Sequence, residues 1–282
     1  MRPRTLLLLL LFTVAVVLSG CGGSGQDLVI LAGDYFPTDA GAEWTYRIDV
    51  TAWCGDDEAQ TTGTIDREVI QVVDPAATDV LQTVTYRDFF HAVPPPAIEV
   101  PAGNIIGDYL AYLFDPNGAL RNWDEQFALL DTNGDDDADR IQRFAEGPPG
   151  GALTAVRANR PFVFMPVVIG AQATNSSPLV TVPFFSNNDT LTGQVSNLGV
   201  QYRDAHSFLS EAPMPYAYVS EALEATIQFN GREGSCDGYC KTSLAYELWP
   251  VEKDIDLEYR LAGQWLRIHA LVRATRYRII AP

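Results

Sequence analysis

Five apolar residues at every second position, Trp44, Tyr46, Ile48, Val50 and Ala52, are interleaved with Thr45, Arg47, Asp49 and Thr51. A side-chain period of two puts the first set on one face of a strand and the second on the other, so the segment reads as β-structure with one buried and one wet face. The pattern returns in Leu223, Ala225, Ile227 and Phe229 against Glu224, Thr226 and Gln228. That strand stops at Asn230-Gly231, a dipeptide suited to a two-residue hairpin turn. It returns again in Leu266, Ile268, Ala270, Val272 and Ala274, set against Arg267, His269, Arg273 and Thr275. Weaker strands are expected at Thr62–Val73, Val80–Asp88, Thr192–Tyr202, Ser243–Trp249 and Asp256–Leu261. One-sided alternation belongs to antiparallel sheets. The expected fold class is therefore mainly β: one or more curved antiparallel sheets, as a half-barrel or sandwich, with one or two short helices.

The helices are placed at Ile105–Phe114, with Asn104 as N-cap and Asp115-Pro116-Asn117-Gly118 as the stop, and at Asn122–Leu130. Loops are marked by Val93-Pro94-Pro95-Pro96, by Ser186-Asn187-Asn188-Asp189 and by Gly147-Pro148-Pro149-Gly150-Gly151. The last is the natural boundary between two β-rich halves, 34–147 and 152–282, which can also form a single domain.

The acids outnumber the bases, 36 to 19, for a net charge of −17. That balance argues against a nucleic-acid partner, because phosphate binding needs clustered Lys and Arg. At the amino terminus Arg2 and Arg4 precede an apolar run, Thr5 to Leu18. The run is shorter than the roughly 20 residues of a comfortable membrane span, and small residues follow it, which fits a signal peptide over 1–20.

The run ends Leu18-Ser19-Gly20-Cys21. This resembles the lipobox of bacterial lipoproteins. The resemblance implies cleavage before Cys21, a diacylglycerol thioether on its sulfur, and acylation (typically palmitate) of the new amino terminus. Multiple chains anchor firmly where a single one binds reversibly. Residues 21–33 then form the lipidated cysteine and a tether, flexible where Gly22-Gly23-Ser24-Gly25-Gln26 follow the anchor. Gly22 in place of Asp favours, by the same resemblance, the outer membrane of the cell envelope. Cleavage removes Arg2 and Arg4, so 17 bases face 36 acids and the mature body carries −19. Anionic lipid repels such a body, so the lipid must do the anchoring.

Phe36, Pro37, Gly41, Trp44 and Tyr46 match a motif of uncharacterised bacterial envelope lipoproteins, Phe-Pro-Leu-x-x-Gly-x-x-Trp-x-Tyr, with Thr38 in place of Leu and one residue inserted before Gly41. The resemblance implies a turn followed by an aromatic strand and carries no activity.

Three cysteines follow the anchor: Cys54, Cys236 and Cys240. In an oxidising compartment they are expected to give one disulfide and one free thiol, with Cys240 bridged to Cys236 or to Cys54. Cys236-Asp237-Gly238-Tyr239-Cys240 reads as a tight loop at a hairpin end.

The one dense set of hard oxygen ligands is Asp131-Thr132-Asn133-Gly134-Asp135-Asp136-Asp137-Ala138-Asp139. Crowded carboxylates repel one another and a cation relieves that, so calcium is the one cofactor expected. The spacing resembles the start of calcium loops in EF-hands and dockerins. By that resemblance Asp131, Asn133, Asp135 and Asp139 are metal ligands and Asp137 offers its backbone carbonyl. Asp136 stands where the EF-hand has Gly, and Gln142 where it has Glu.

Catalytic motifs are missing. The histidines, His91, His206 and His269, have no zinc-ligand spacing, and neither a Gly-x-Ser-x-Gly elbow nor a phosphate-binding Gly-x-x-x-x-Gly-Lys is present. The reading is a lipid-anchored envelope protein whose non-catalytic β-domain binds a lipid, a glycan or an envelope protein, or acts as a scaffold. The alternatives are an extracytoplasmic glycan hydrolase and a calcium-dependent adhesion module.

Overall fold

The computed structural model describes residues 36–279 except 38, 75–79, 92, 101–103, 115–122, 132–133, 135, 137, 139, 148–161, 167–175, 184–189, 210, 212 and 247. The predicted signal peptide, the tether and Cys21 lie outside the described residues, as do Pro148 to Gly151 of the expected boundary between halves.

Among the described residues twelve strands build one antiparallel sheet. They are β1 (Glu43–Cys54), β2 (Asp57–Val73), β3 (Val80–His91), β4 (Trp123–Leu130), β5 (Arg140–Gly147), β6 (Phe162–Pro166), β7 (Ser176–Pro183), β8 (Thr190–His206), β9 (Met214–Phe229), β10 (Arg232–Ala245), β11 (Trp249–Leu261) and β12 (Gln264–Arg278). A single described helix, α1 (Ile105–Leu113), lies between β3 and β4. The strand order is β6-β5-β4-β3-β2-β1-β12-β11-β10-β9-β8-β7. Except for β6 and β7, which form the two edges, each strand pairs with its neighbours in sequence, and the two halves of the meander are joined in the middle by β1 and β12, from Glu43 opposite Arg278 to Trp53 opposite Arg267. The two β-rich halves thus share one sheet. The sheet curls into a half-barrel, and its β6 edge comes within 8 Å of β8, Cα to Cα.

The alternation read from the sequence is the alternation of burial. Trp44, Tyr46, Ile48, Val50 and Ala52 are all buried on the inner face, and across the β1–β12 ladder so are Leu266, Ile268, Ala270, Val272 and Ala274. The expected hairpin at Asn230-Gly231 forms, with φ of 50° and 70° at the two residues, a conformation glycine takes without strain. A second turn of the same kind, between β11 and β12, puts Ala262 at φ 52° ahead of Gly263 at 78°. The Ala at its first position hides it from a search for Asn-Gly.

Three expectations change. Asn122–Leu130 was expected to be helical, but Trp123–Leu130 is strand β4, paired with β3 and β5 on either side. Phe127, Ala128, Leu129 and Leu130 are all buried, so this stretch has no wet face and loses the period that would have marked it as a strand. Ser243–Trp249 is not one strand: β10 ends at Ala245, the chain bends, and β11 starts at Trp249. Cys236 to Cys240 is not a loop but the middle of β10, paired on both sides. Gly238 marks a close backbone approach there, since a Cβ would stand 2.1 Å from the Asp256 carbonyl oxygen.

Helix α1 forms where expected. The Asn104 Oδ1 accepts a hydrogen bond from the Ile106 amide at 2.9 Å, capping the first turn. Ile106, Tyr109 and Leu110 share one face of the helix and are buried. The Tyr109 ring meets Phe229 and Tyr259 edge-on, with centroids 5.0 and 5.2 Å away, which seats the helix on the concave side of the sheet.

The Phe-Pro…Trp-x-Tyr segment is a clamp. Phe36 packs edge-on against Tyr86 and Phe127, with centroids 5.2 and 5.3 Å away, and the Pro37 carbonyl accepts the Tyr86 hydroxyl at 2.7 Å. Trp44 Nε1 donates to the Leu248 carbonyl and the Tyr46 hydroxyl to the Pro250 carbonyl, each at 2.7 Å. Both bonds fasten the bend between β10 and β11 to the inner face of β1.

Candidate functional site

An apolar cavity of about 200 Å³ lies on the concave side of the sheet. Ile48 and Val50 of β1, Ile268 and Val272 of β12, and Ile255 and Leu257 of β11 form much of its wall, and Leu113 and Phe114 at the end of α1 close one side. The strand residues reach it by alternation alone: each occupies the inward parity of its strand.

Charge enters this apolar wall at one place. Arg67 of β2 stands at the inward parity between Ile65 and Val69 and is 2% exposed. Its Nε and Nη2 grip the two Asp88 carboxylate oxygens at 2.6 and 2.7 Å, and Nη2 also reaches Glu125 Oε2 at 2.5 Å. Lys253 of β11 lies 3.9 Å from the same Glu125 oxygen. Arg67, Asp88 and Lys253 all line the cavity. Two cations and two carboxylates thus meet inside the sheet. A paired, fork-shaped guanidinium is what makes such burial tolerable.

Burial by itself would lower the Arg67 pKa, but the charges of Asp88 and Glu125 outweigh it and hold the guanidinium protonated. Burial also raises the pKa of the Tyr46 and Tyr86 phenols, against the opposing charge of Arg67, so both remain neutral donors.

A larger groove of about 650 Å³ opens on the outer face near the start of β1, lined among others by Thr45, Glu68, Phe89 and Arg276. Its other charges include close pairs: Arg278 with Glu43 at 2.6 Å and His91 with Asp66 at 3.0 Å. The outer face of β11 and β12 is likewise a ladder of pairs, Glu252 with Arg273, Asp254 with His269 and Asp256 with Arg267. His206 instead meets Phe208 edge-on and Tyr216 at a tilt.

The expected disulfide does not form: Cys54, Cys236 and Cys240 are all free thiols. Cys236 and Cys240 are four residues apart on one strand, which separates their Cα atoms by about 13 Å, twice the span of a disulfide. Cys54 ends β1, three strands over from β10, with β12 and β11 between them. Burial pushes the Cys236 thiol up to about 12, against an opposing hydrogen bond with Tyr259, so it is inert at neutral pH.

The acidic loop joins β4 to β5. The Asp131 carboxylate, 8% exposed, accepts the Gly134 amide at 2.6 Å and the Asp136 amide at 3.0 Å. Asn133, Asp135, Asp137 and Asp139 lie outside the described residues. Among the described residues no group of three or more His, Cys, Asp and Glu side chains is set to hold a metal.

Sequence reasoning passed over Arg67, Asp88, Glu125 and Lys253. The usable signal was a charge at the apolar parity of a strand: Arg67 between Ile65 and Val69, and Lys253 between Val251 and Ile255. Neither stood out in a chain with 36 acids and 19 bases.

No family model matches the chain, and no curated protein matches it. Among solved structures it is similar to a "putative lipoprotein" from Parabacteroides distasonis, with 8% identity over 86% of this chain and 98% of that one and a TM-score of 0.39. It is also similar to a "putative exported protein with YmcC-like fold" from Bacteroides fragilis, with 10% identity over the same shares and a TM-score of 0.30. Neither superposition is close enough to carry a ligand or an activity across.

Proposed function

We propose that this chain is a lipid-anchored protein of the bacterial outer membrane, held at Cys21, whose curled sheet is a non-catalytic binding domain for a small apolar molecule. The lipobox-like Leu18-Ser19-Gly20-Cys21 supports the anchor. The interior cavity supports the binding, and it is the observation that carries the reading. A densely packed core leaves few voids larger than a water molecule. The space of about 200 Å³ is walled mostly by aliphatic side chains and opens to solvent, so a small apolar ligand can enter it. It is smaller than the pockets that enclose drug-sized ligands, of roughly 300 Å³ and upward. The occupant is therefore a single ring or a short chain.

The test is to fill the cavity from its wall. Ala270 lines it, and Ala270→Phe places a ring inside. Methyl resonances of Ile48, Val50, Ile268 and Val272 should shift when toluene is added to the wild type and stay still in Ala270→Phe. The variant should keep its stability to within about 1 kcal/mol, because the added ring enters a void and not a packed core. Unmoved methyl resonances in the wild type would refute the cavity as a binding site.

A further inference from the structure

We infer that the cavity takes an amphiphile with an anionic oxygen head group, received by Lys253; the inference rests on the reading of the cavity as a ligand site. Lys253 stands at the inward parity of β11, in line with the buried Val251 and with Ile255 and Leu257. A lysine there keeps only part of its hydration and gains from further acceptors. Its ionic partner is Glu125, at 3.9 Å. That is beyond the roughly 3.2 Å limit of an N–H···O bond, so among the described residues its three donors find no acceptor. The carboxylates beside it already serve Arg67. Both Asp88 oxygens bond Arg67, and the Glu125 oxygen facing Lys253 also accepts Arg67 Nη2 at 2.5 Å.

The Lys253 side chain keeps a quarter of its surface exposed, so its ammonium is within a ligand's reach. A small apolar ligand fills the aliphatic part of the cavity but gives that ammonium no acceptor, so a head group that supplies one binds more tightly. An anionic oxygen would supply short, charge-assisted bonds. Arg67 and Lys253 together balance Asp88 and Glu125, so the head group meets a cluster with no net charge. The tail would run along Ile48, Val50, Ile268 and Val272, within a volume that holds one ring or a short chain.

The experiment uses the intact protein in nanodiscs and two photoreactive probes carrying the same diazirine, octanoate and the neutral octyl alcohol. Octanoate should label peptides covering 251–261 and 266–274. Its half-saturating concentration should rise about tenfold in Lys253→Met, the loss of a charged hydrogen bond of about 1.4 kcal/mol, and recover in Lys253→Arg. The alcohol should label wild type and Lys253→Met alike, which shows that the cavity survives the substitution. Equal octanoate labelling of wild type and Lys253→Met, with the alcohol still labelling both, would overturn the head-group assignment and leave the cavity as a ligand site. Labelling of these peptides by neither probe would overturn both.

Discussion

Arg67→Met is expected to destabilise the fold by about 3–5 kcal/mol, the range found when one partner of a buried ion pair is removed. The side chain is 3% exposed, and its replacement leaves Asp88 and Glu125 facing each other inside the sheet without their shared cation. Lys253, at 3.9 Å from Glu125, is too far to take over the bonds Arg67 makes. For a chain of this size each kcal/mol is worth roughly 2–4 °C, so the midpoint of thermal unfolding should fall by about 6–20 °C. A variant that replaces all four charges, Arg67→Met, Asp88→Leu, Glu125→Met and Lys253→Met, should recover most of the loss, because apolar replacement of a whole buried ion cluster is often neutral or stabilising. Calorimetry of the two variants separates the readings. A single variant as stable as the wild type would mean that the cluster is solvated and not part of the interior.

The second large effect is expected at Trp44. It is 1% exposed, lies 6.0 Å from the Tyr86 ring, and donates to the Leu248 carbonyl at 2.7 Å. Trp44→Ala should cost about 3–5 kcal/mol through the cavity it opens. Trp44→Phe keeps most of the apolar volume but orphans the Leu248 carbonyl, and should cost about 1–3 kcal/mol. Urea unfolding of the pair measures both. Equal losses in the two variants would show that the hydrogen bond, and not the packing, holds the bend between β10 and β11. A negligible loss in Trp44→Phe would show the reverse.

The sheet was legible because its central strands are one-sided. Trp44 to Ala52 and Leu266 to Ala274 alternate strictly, and they turn out to be neighbours, β1 and β12. Nothing in either segment says that the first and last strands pair. That follows from closing a meander whose halves each leave an edge, a property of the whole chain. Strand β4 was misread because it is covered on both faces, so Phe127 to Leu130 carries no period of two.

The cysteine reading failed for a related reason. Spacing suggests a staple only if the chain turns between Cys236 and Cys240, and β10 runs straight through. The cavity could not have been read at all. Its walls are ordinary aliphatic residues of β1, β11 and β12, and the void depends on how far the sheet curls around α1. What could have been read, and was passed over, is the pair of inward-parity charges, Arg67 and Lys253. Each breaks an apolar stripe in a strand, and a polar side chain at a core position is worth a question wherever it appears.

The central claim is that a lipid-anchored chain holds a small amphiphile inside its curled sheet. The most direct measurement is native mass spectrometry of the full-length protein, extracted from its own membranes, beside the Ala270→Phe variant. The wild-type mass should carry the acyl groups on Cys21 and, in addition, one small ligand that collisional activation releases. The variant should keep the acyl mass and lack the ligand. A wild type with no releasable ligand, or the same ligand retained equally by Ala270→Phe, would contradict it.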